Sequence, residues 1–250
     1  MERVEPLAPS VGLRSWMATL EGGIGVLVEA AAALLVAAEI VILLAGVVSR
    51  YGFDRPLVWS DELASILFLW LAMLGAVIAF RRGEHMRMTA VVGMMRPAGR
   101  AALDVFATGA ALVFLLLMVR PAIDYAQDQA FITTPALEIA DAWRVAAMPI
   151  GLGVMVIFGL LRLSRVASAR SLVGALGALA VILALFWMAQ PLFRQLGNIN
   201  LLIFFVGVVA AAVFAGVPIA FAFGLAILGY LTLTTRTPLT VLVGRMDEGM

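Results

Sequence analysis

Six apolar runs, at roughly 24–49, 63–80, 101–119, 145–161, 172–189 and 201–233, constrain this chain more than any other feature. A helix that crosses a bilayer needs about 20 apolar residues, with a range near 17–25. The first five runs fit one crossing each. The sixth is too long for one straight crossing, at about 50 Å for 1.5 Å per residue. It contains Gly216-Val217-Pro218, and Pro218 removes a backbone donor and clashes with the preceding turn. A kinked helix or two helical pieces are expected there.

Lipid is the simplest solvent for so much apolar surface. Hydrophobic residues make up 64% of the chain, where a soluble domain is nearer half. Only 13% of residues are charged, too few to cover a solvated surface of this size. Within lipid the backbone must satisfy itself, so the fold class expected is all-α, a polytopic transmembrane bundle of about six spanning helices. No ten-residue alternating segments of a membrane barrel are present. The net charge of +1 gives no reason to expect nucleic acid as a partner. There is no cysteine, so disulfides and thiolate metal sites are out. The start, MERVEPLAPS, does not read as the basic leader of a cleaved signal peptide.

Arginine placement orients the bundle, because loops rich in basic residues stay cytoplasmic. The loop from Arg81 to Arg100 carries Arg81, Arg82, Arg87, Arg96 and Arg100 against Glu84 alone. Arg162, Arg165 and Arg170 follow the fourth run with no acid among them. Both stretches are expected inside. The mixed loops 50–62 and 120–144 are expected outside, with the N-terminus inside, 190–200 outside and the C-terminal end inside.

The charges within the runs are few. Glu39 lies mid-way along the first run, where a charge costs about 2.5–3.5 kcal/mol on insertion scales. Arg50 is eleven positions on, nearly on the same face, and Glu29 lies within a right angle of both. One polar stripe on the first helix is therefore expected to face other helices, with the partners of Glu39 and Arg50 on those helices. Glu39 is open to two readings, a proton relay or a polar contact that fixes helix register. Ser60 is a plausible N-cap for the second helix, with Asp61 and Glu62 placed where the helix dipole favours acid. Ala72, Gly75, Ala76 and Ala79 make a small-residue face on the second helix, and Gly174 and Ala178 another on the fifth; such faces allow close helix approach in lipid. His85, the one histidine, reads as a solvated loop residue, and Asp104 as an interfacial charge. No Walker loop, dinucleotide fingerprint, HExxH or GxSxG is present, so no catalytic centre, cofactor or metal is expected.

Several stretches together carry a resemblance. The first helix ends VVSRYGFDRPLVWSDELA, the second runs FLWLAMLGAVIAFRRGEHMRM, and TTPALEIADAWRVAAMPIG follows later. Over roughly 25–165 this resembles the small membrane subunit, DctQ type, of tripartite ATP-independent periplasmic (TRAP) transporters. Residues 201–246, with GVPIAFAFGLAILGY and TPLTVLVGRM, resemble the beginning of the large membrane subunit, DctM type. The resemblance implies a cytoplasmic lead at 1–22, a four-helix small-subunit domain at 23–170, a bridging helix within 171–194 and a large-subunit piece at 195–250.

It further implies a secondary transporter in a bacterial inner membrane. Its partners would be the rest of the large subunit and a soluble periplasmic solute-binding protein. The cargo would be an organic acid, such as a dicarboxylate, a keto acid or a sialic acid, driven by a sodium gradient. The small subunit would be a static scaffold that helps the binding protein dock. Asp54, Arg55, Asp61 and Glu62 would then form the outer rim where that partner lands. The sodium and substrate sites of the family belong to later helices of the large subunit, so no such residue carries over. The alternatives are a non-transporting membrane anchor for another complex and an intramembrane enzyme using Glu39.

Overall fold

The structure, a computed structural model, describes residues 11–83 and 97–249. Helix α1 spans Val11–Gly52, α2 Val58–Arg82 and α3 Pro97–Asp128. Helix α4 runs Ala142–Val166 and α5 Ala169–Met188. The shorter α6, Ile199–Phe214, and α7, Ile219–Thr234, follow, and α8 is Leu239–Glu248. Among the described residues the extended pairing is one isolated bridge, Thr133 to Ala140. Five helices, α1 to α5, are long and apolar enough to cross a membrane. The all-α transmembrane bundle expected from the sequence is what forms.

The core is built by α2, α3 and α4. Leu69, Met73 and Val77 of α2 meet Leu115 and Met118 of α3 and Met148 and Leu152 of α4. Helix α1 adds only Val28 and Ala32 to the buried set. Just 6% of its apolar stretch is buried, against 56% for α3, so α1 lies on the flank of the bundle. Helix α5, 11% buried, flanks the other side against α3. Helices in lipid gain nothing from hydrophobic burial against each other, so close approach at small residues matters more. Gly151 of α4 does this: a Cβ there would come within 2.7 Å of the Met73 side chain. On the alanine face of α2, Ala76 packs against the core, while Gly75 is exposed and meets nothing within 4 Å. Gly174 of α5 likewise meets nothing.

Residues 11–22 form the first turns of the 42-residue α1. The sixth apolar run, expected as a kinked helix or two helical pieces, is two antiparallel helices. Gly216 takes a left-handed φ of 84° that L side chains resist, and Pro218 starts α7. The Val217 N–H donates back to Ala212, closing the end of α6. Helix α7 then returns along α6, so that Phe204 near the start of α6 packs on Tyr230 near the end of α7. Phe193, Phe204 and Leu233 close a small aromatic and aliphatic cluster at that end. The chain thus comes back to the end from which it entered. The C-terminal end lies on the same face as 190–200, and not on the opposite face as simple alternation suggests.

Candidate functional site

Two ion-pair tiers tie α1 to α2. At one end the Arg50 guanidinium donates to Asp61 at 3.0 Å. At the other, Glu29 accepts from Arg81 at 3.2 Å and Arg82 at 3.1 Å. Asp61 and Arg81 are 20 positions apart on α2, about 30 Å at 1.5 Å per residue. That is the thickness of a bilayer's hydrocarbon core, about 30 Å. The two tiers thus stand about one hydrocarbon thickness apart along α2. Exposed aromatics gather at the Asp61 end, namely Tyr51, Trp59, Trp143 and Trp187, as the amphipathic belt of a membrane interface requires.

The polar stripe of α1 thus splits into three fates. Arg50 and Glu29 have partners on α2, whereas the inter-helix partner expected for Glu39 is not found among the described residues. Glu39 sits half-buried between the tiers with no hydrogen bond or ion pair among the described residues. Space for the Arg81 guanidinium comes from Gly25, where a Cβ would lie 1.9 Å from its terminal nitrogen.

The Asp61 end holds the four rim residues, and they differ in their commitments. Helix α2 starts at Val58 with Leu57 at the N-cap, so Ser60 is not the cap. Its buried hydroxyl instead donates to the Leu57 carbonyl at 2.7 Å, inside the first turn. Glu62 accepts the backbone N–H groups of Ala136 at 2.7 Å and Leu137 at 3.0 Å. It anchors the loop between α3 and α4. Asp61 is taken by Arg50. Asp54 and Arg55 remain exposed, with no side-chain ion pair among the described residues. Asp54 holds a left-handed φ of 53° in the tight α1–α2 turn. That turn is tied by the Arg55 N–H to the Ser49 carbonyl, and by the Ser49 hydroxyl to the Arg55 carbonyl.

A further junction was not read from the sequence. The Arg144 guanidinium grips Asp141 with two bonds of 2.9 Å and Asp247 with bonds of 2.6 and 2.8 Å. Tyr125 donates to Asp247 as well, at 3.2 Å. The Asp247 side chain is only 5% exposed. One arginine of α4 thereby fastens α8 to the bundle, 103 residues along the chain. The i,i+3 spacing of Asp141 and Arg144 was visible in the sequence, but nothing local points to Asp247. Arg87 and His85, singled out above for orientation and for a loop, lie outside the described residues. Among those described, no cluster of acids or histidine could hold a metal ion.

The DctQ component of tripartite ATP-independent periplasmic transporters matches residues 39–169, 131 of the 250. The chain belongs to the DctQ family. The match runs from mid-α1 to the end of α4 and so covers both partners of the Arg50–Asp61 tier. The DctQ chain is also similar to curated relatives. It is 32% identical over 109 residues to a sialic acid TRAP transporter permease protein, SiaT, of Haemophilus influenzae, covering 44% of this chain and 18% of that protein. It is 29% identical over 124 residues to the sialic acid TRAP transporter small permease protein SiaQ of Vibrio cholerae, covering 50% and 71%. A putative TRAP transporter small permease protein of Haemophilus influenzae is 44% identical over 57 residues, 23% of this chain and 35% of that one. The chain therefore spans less than a fifth of the SiaT relative, and 71% of SiaQ. A DctQ chain is a membrane component of a TRAP transporter.

Proposed function

We propose that this chain is the static scaffold of a sodium-driven TRAP transporter for organic acids, with the beginning of the large subunit joined to it. In this reading α1 to α4 are the scaffold, α5 is the bridge, and α6 to α8 open the large-subunit domain. The observation that carries it is the DctQ match over 39–169, which covers the second part of α1 and all of α2 to α4. The similarity to SiaT, a protein far longer than this match, supports the joined arrangement.

The membrane is a bacterial inner membrane, with the Arg81 end and the N-terminus cytoplasmic and the Asp61 end periplasmic. The arginine bias of the loops supports that orientation. A periplasmic solute-binding protein docks on the Asp61 end. Within the rim, Asp54 and Arg55 contact it, because both are exposed and uncommitted, while Asp61 and Glu62 hold the scaffold together. The cargo class is a carboxylate; the relatives named for sialic acid make that acid one member to test.

The test is reconstitution of the complete transporter with its binding protein in proteoliposomes. Uptake of a carboxylate panel, sialic acid included, is followed under an inward sodium gradient. Uptake that needs both the binding protein and sodium supports the proposal. Uptake at full rate after deletion of residues 25–165 contradicts the scaffold role.

A further inference from the structure

The Arg81 end carries a feature that scaffolding does not require. A cavity of about 360 Å³ opens between the ends of α1, α2 and α4. Arg81, Arg82, Arg162 and Arg165 line it, with Glu21 as the one acid in its wall. Its apolar side is made by Phe80, Phe158 and Val166. The Arg81 guanidinium lies 5.9 Å from the centre of the Phe158 ring.

The charges do not balance. Glu29 answers Arg81 and Arg82 together, and Glu21 pairs with Arg165. Among the described residues four guanidinium groups thus face two carboxylates, leaving two positive charges over. Arg162 has no carboxylate partner among the described residues. Its terminal nitrogen lies so close to Gly83 that a Cβ there would be 3.2 Å away. Arginine presents a planar fork of donors that matches phosphate oxygens.

Position decides the kind of anion. The cavity sits at the Glu29–Arg81 tier, the edge of the hydrocarbon core, where phospholipid headgroups lie. Its volume falls in the range of small-ligand pockets, about 300–1,000 Å³. A free anion would gain nothing from the phenylalanines, whereas a lipid offers a phosphate to the arginines and a glycerol-acyl stem to Phe80 and Phe158. Basic pockets between spanning helices are suited to acidic headgroups. We propose that this cavity is a binding site for the phosphate headgroup of an acidic phospholipid in the leaflet at the Arg81 end. The lipid neutralises the surplus charge and cements α1, α2 and α4 at that edge.

Native mass spectrometry of the purified full chain in detergent tests this, titrated separately with phosphatidylglycerol, phosphatidylcholine and inorganic phosphate. Retention of phosphatidylglycerol well above phosphatidylcholine is expected, with no competition from millimolar phosphate. Arg162→Gln leaves the three ion pairs at this end intact. It is expected to weaken phosphatidylglycerol binding about fivefold, the weight of one arginine near an anionic surface. Arg194→Gln, on an exposed arginine beyond α5, should bind like the parent. Equal retention of the two lipids by the parent chain overturns the proposal, and needs no variant to fold. So does unchanged binding in Arg162→Gln, or displacement by phosphate alone.

Discussion

Replacing Arg144 by methionine should destabilise the protein more than replacing its partner Asp247 by asparagine. The reason is an asymmetry in what each change leaves behind. Without Arg144, Asp247 stays 5% exposed and keeps only the Tyr125 hydroxyl for a full negative charge. Breaking a buried ion pair from one side costs about 3–5 kcal/mol. Arg144 is itself 24% exposed, so the lower end, about 3 kcal/mol, applies. In Asp247→Asn, Arg144 keeps both bonds to Asp141, and the loss is that of charged hydrogen bonds, about 1.5–3 kcal/mol. The double variant strands no carboxylate at position 247. Its cost should fall below the sum of the two singles by about 1–3 kcal/mol, a coupling of the size seen for residues in contact. Equilibrium unfolding in mixed micelles measures all four corners. Strictly additive effects, or an Asp247→Asn loss exceeding that of Arg144→Met, would refute the contact and with it the return of α8 to the Arg144 face.

Reversing the rim charges, Asp54→Arg with Arg55→Asp, should raise the binding-protein concentration needed for half-maximal uptake at least tenfold without altering the melting temperature; unchanged docking would remove those residues from the interface. Arg50→Ala should cost under about 1 kcal/mol, because the Arg50 and Asp61 side chains are 49% and 70% exposed, and a loss of several kcal/mol in an unfolding titration would contradict this. Gly151→Leu forces a side chain into Met73 and should destabilise by about 1–3 kcal/mol, read by thermal melting; a neutral result would mean α2 and α4 are not in contact there. Glu39→Gln should leave sodium-driven uptake intact, and a collapse of uptake would revive a proton relay through this carboxylate.

The apolar runs made the spanning helices legible, since length and hydropathy are local properties. Arg50 was also legible as a residue needing a partner on another helix, because spacing along α1 kept Glu39 and Arg50 too far apart. Which partner was not, because periodicity gives the face a residue occupies and not the neighbour across it. Asp61 had looked like part of a helix start, and the true start at Val58 moved both it and Ser60 into the first turn. The Arg50–Asp61 pair is half-exposed. Gly216 and Pro218 announced a break. Whether the chain kinks or turns back depends on Phe204 finding Tyr230, a contact 26 positions away that no local rule supplies. Glu62 hid for a similar reason. Its partners are backbone amides at 136 and 137, and a backbone donor leaves no signature in sequence.

Sidedness is the most direct test of the whole account, and the absence of native cysteine makes it clean. Single cysteines at Asp54, Arg170 and Glu248, all exposed, would be probed with a membrane-impermeant maleimide in right-side-out vesicles. Cysteines at 54 and 248 should both label at once, and the one at 170 only after the membrane is opened. Labelling of 170 from outside would invert the bundle, and labelling of 54 and 248 from opposite sides would undo the α6–α7 hairpin.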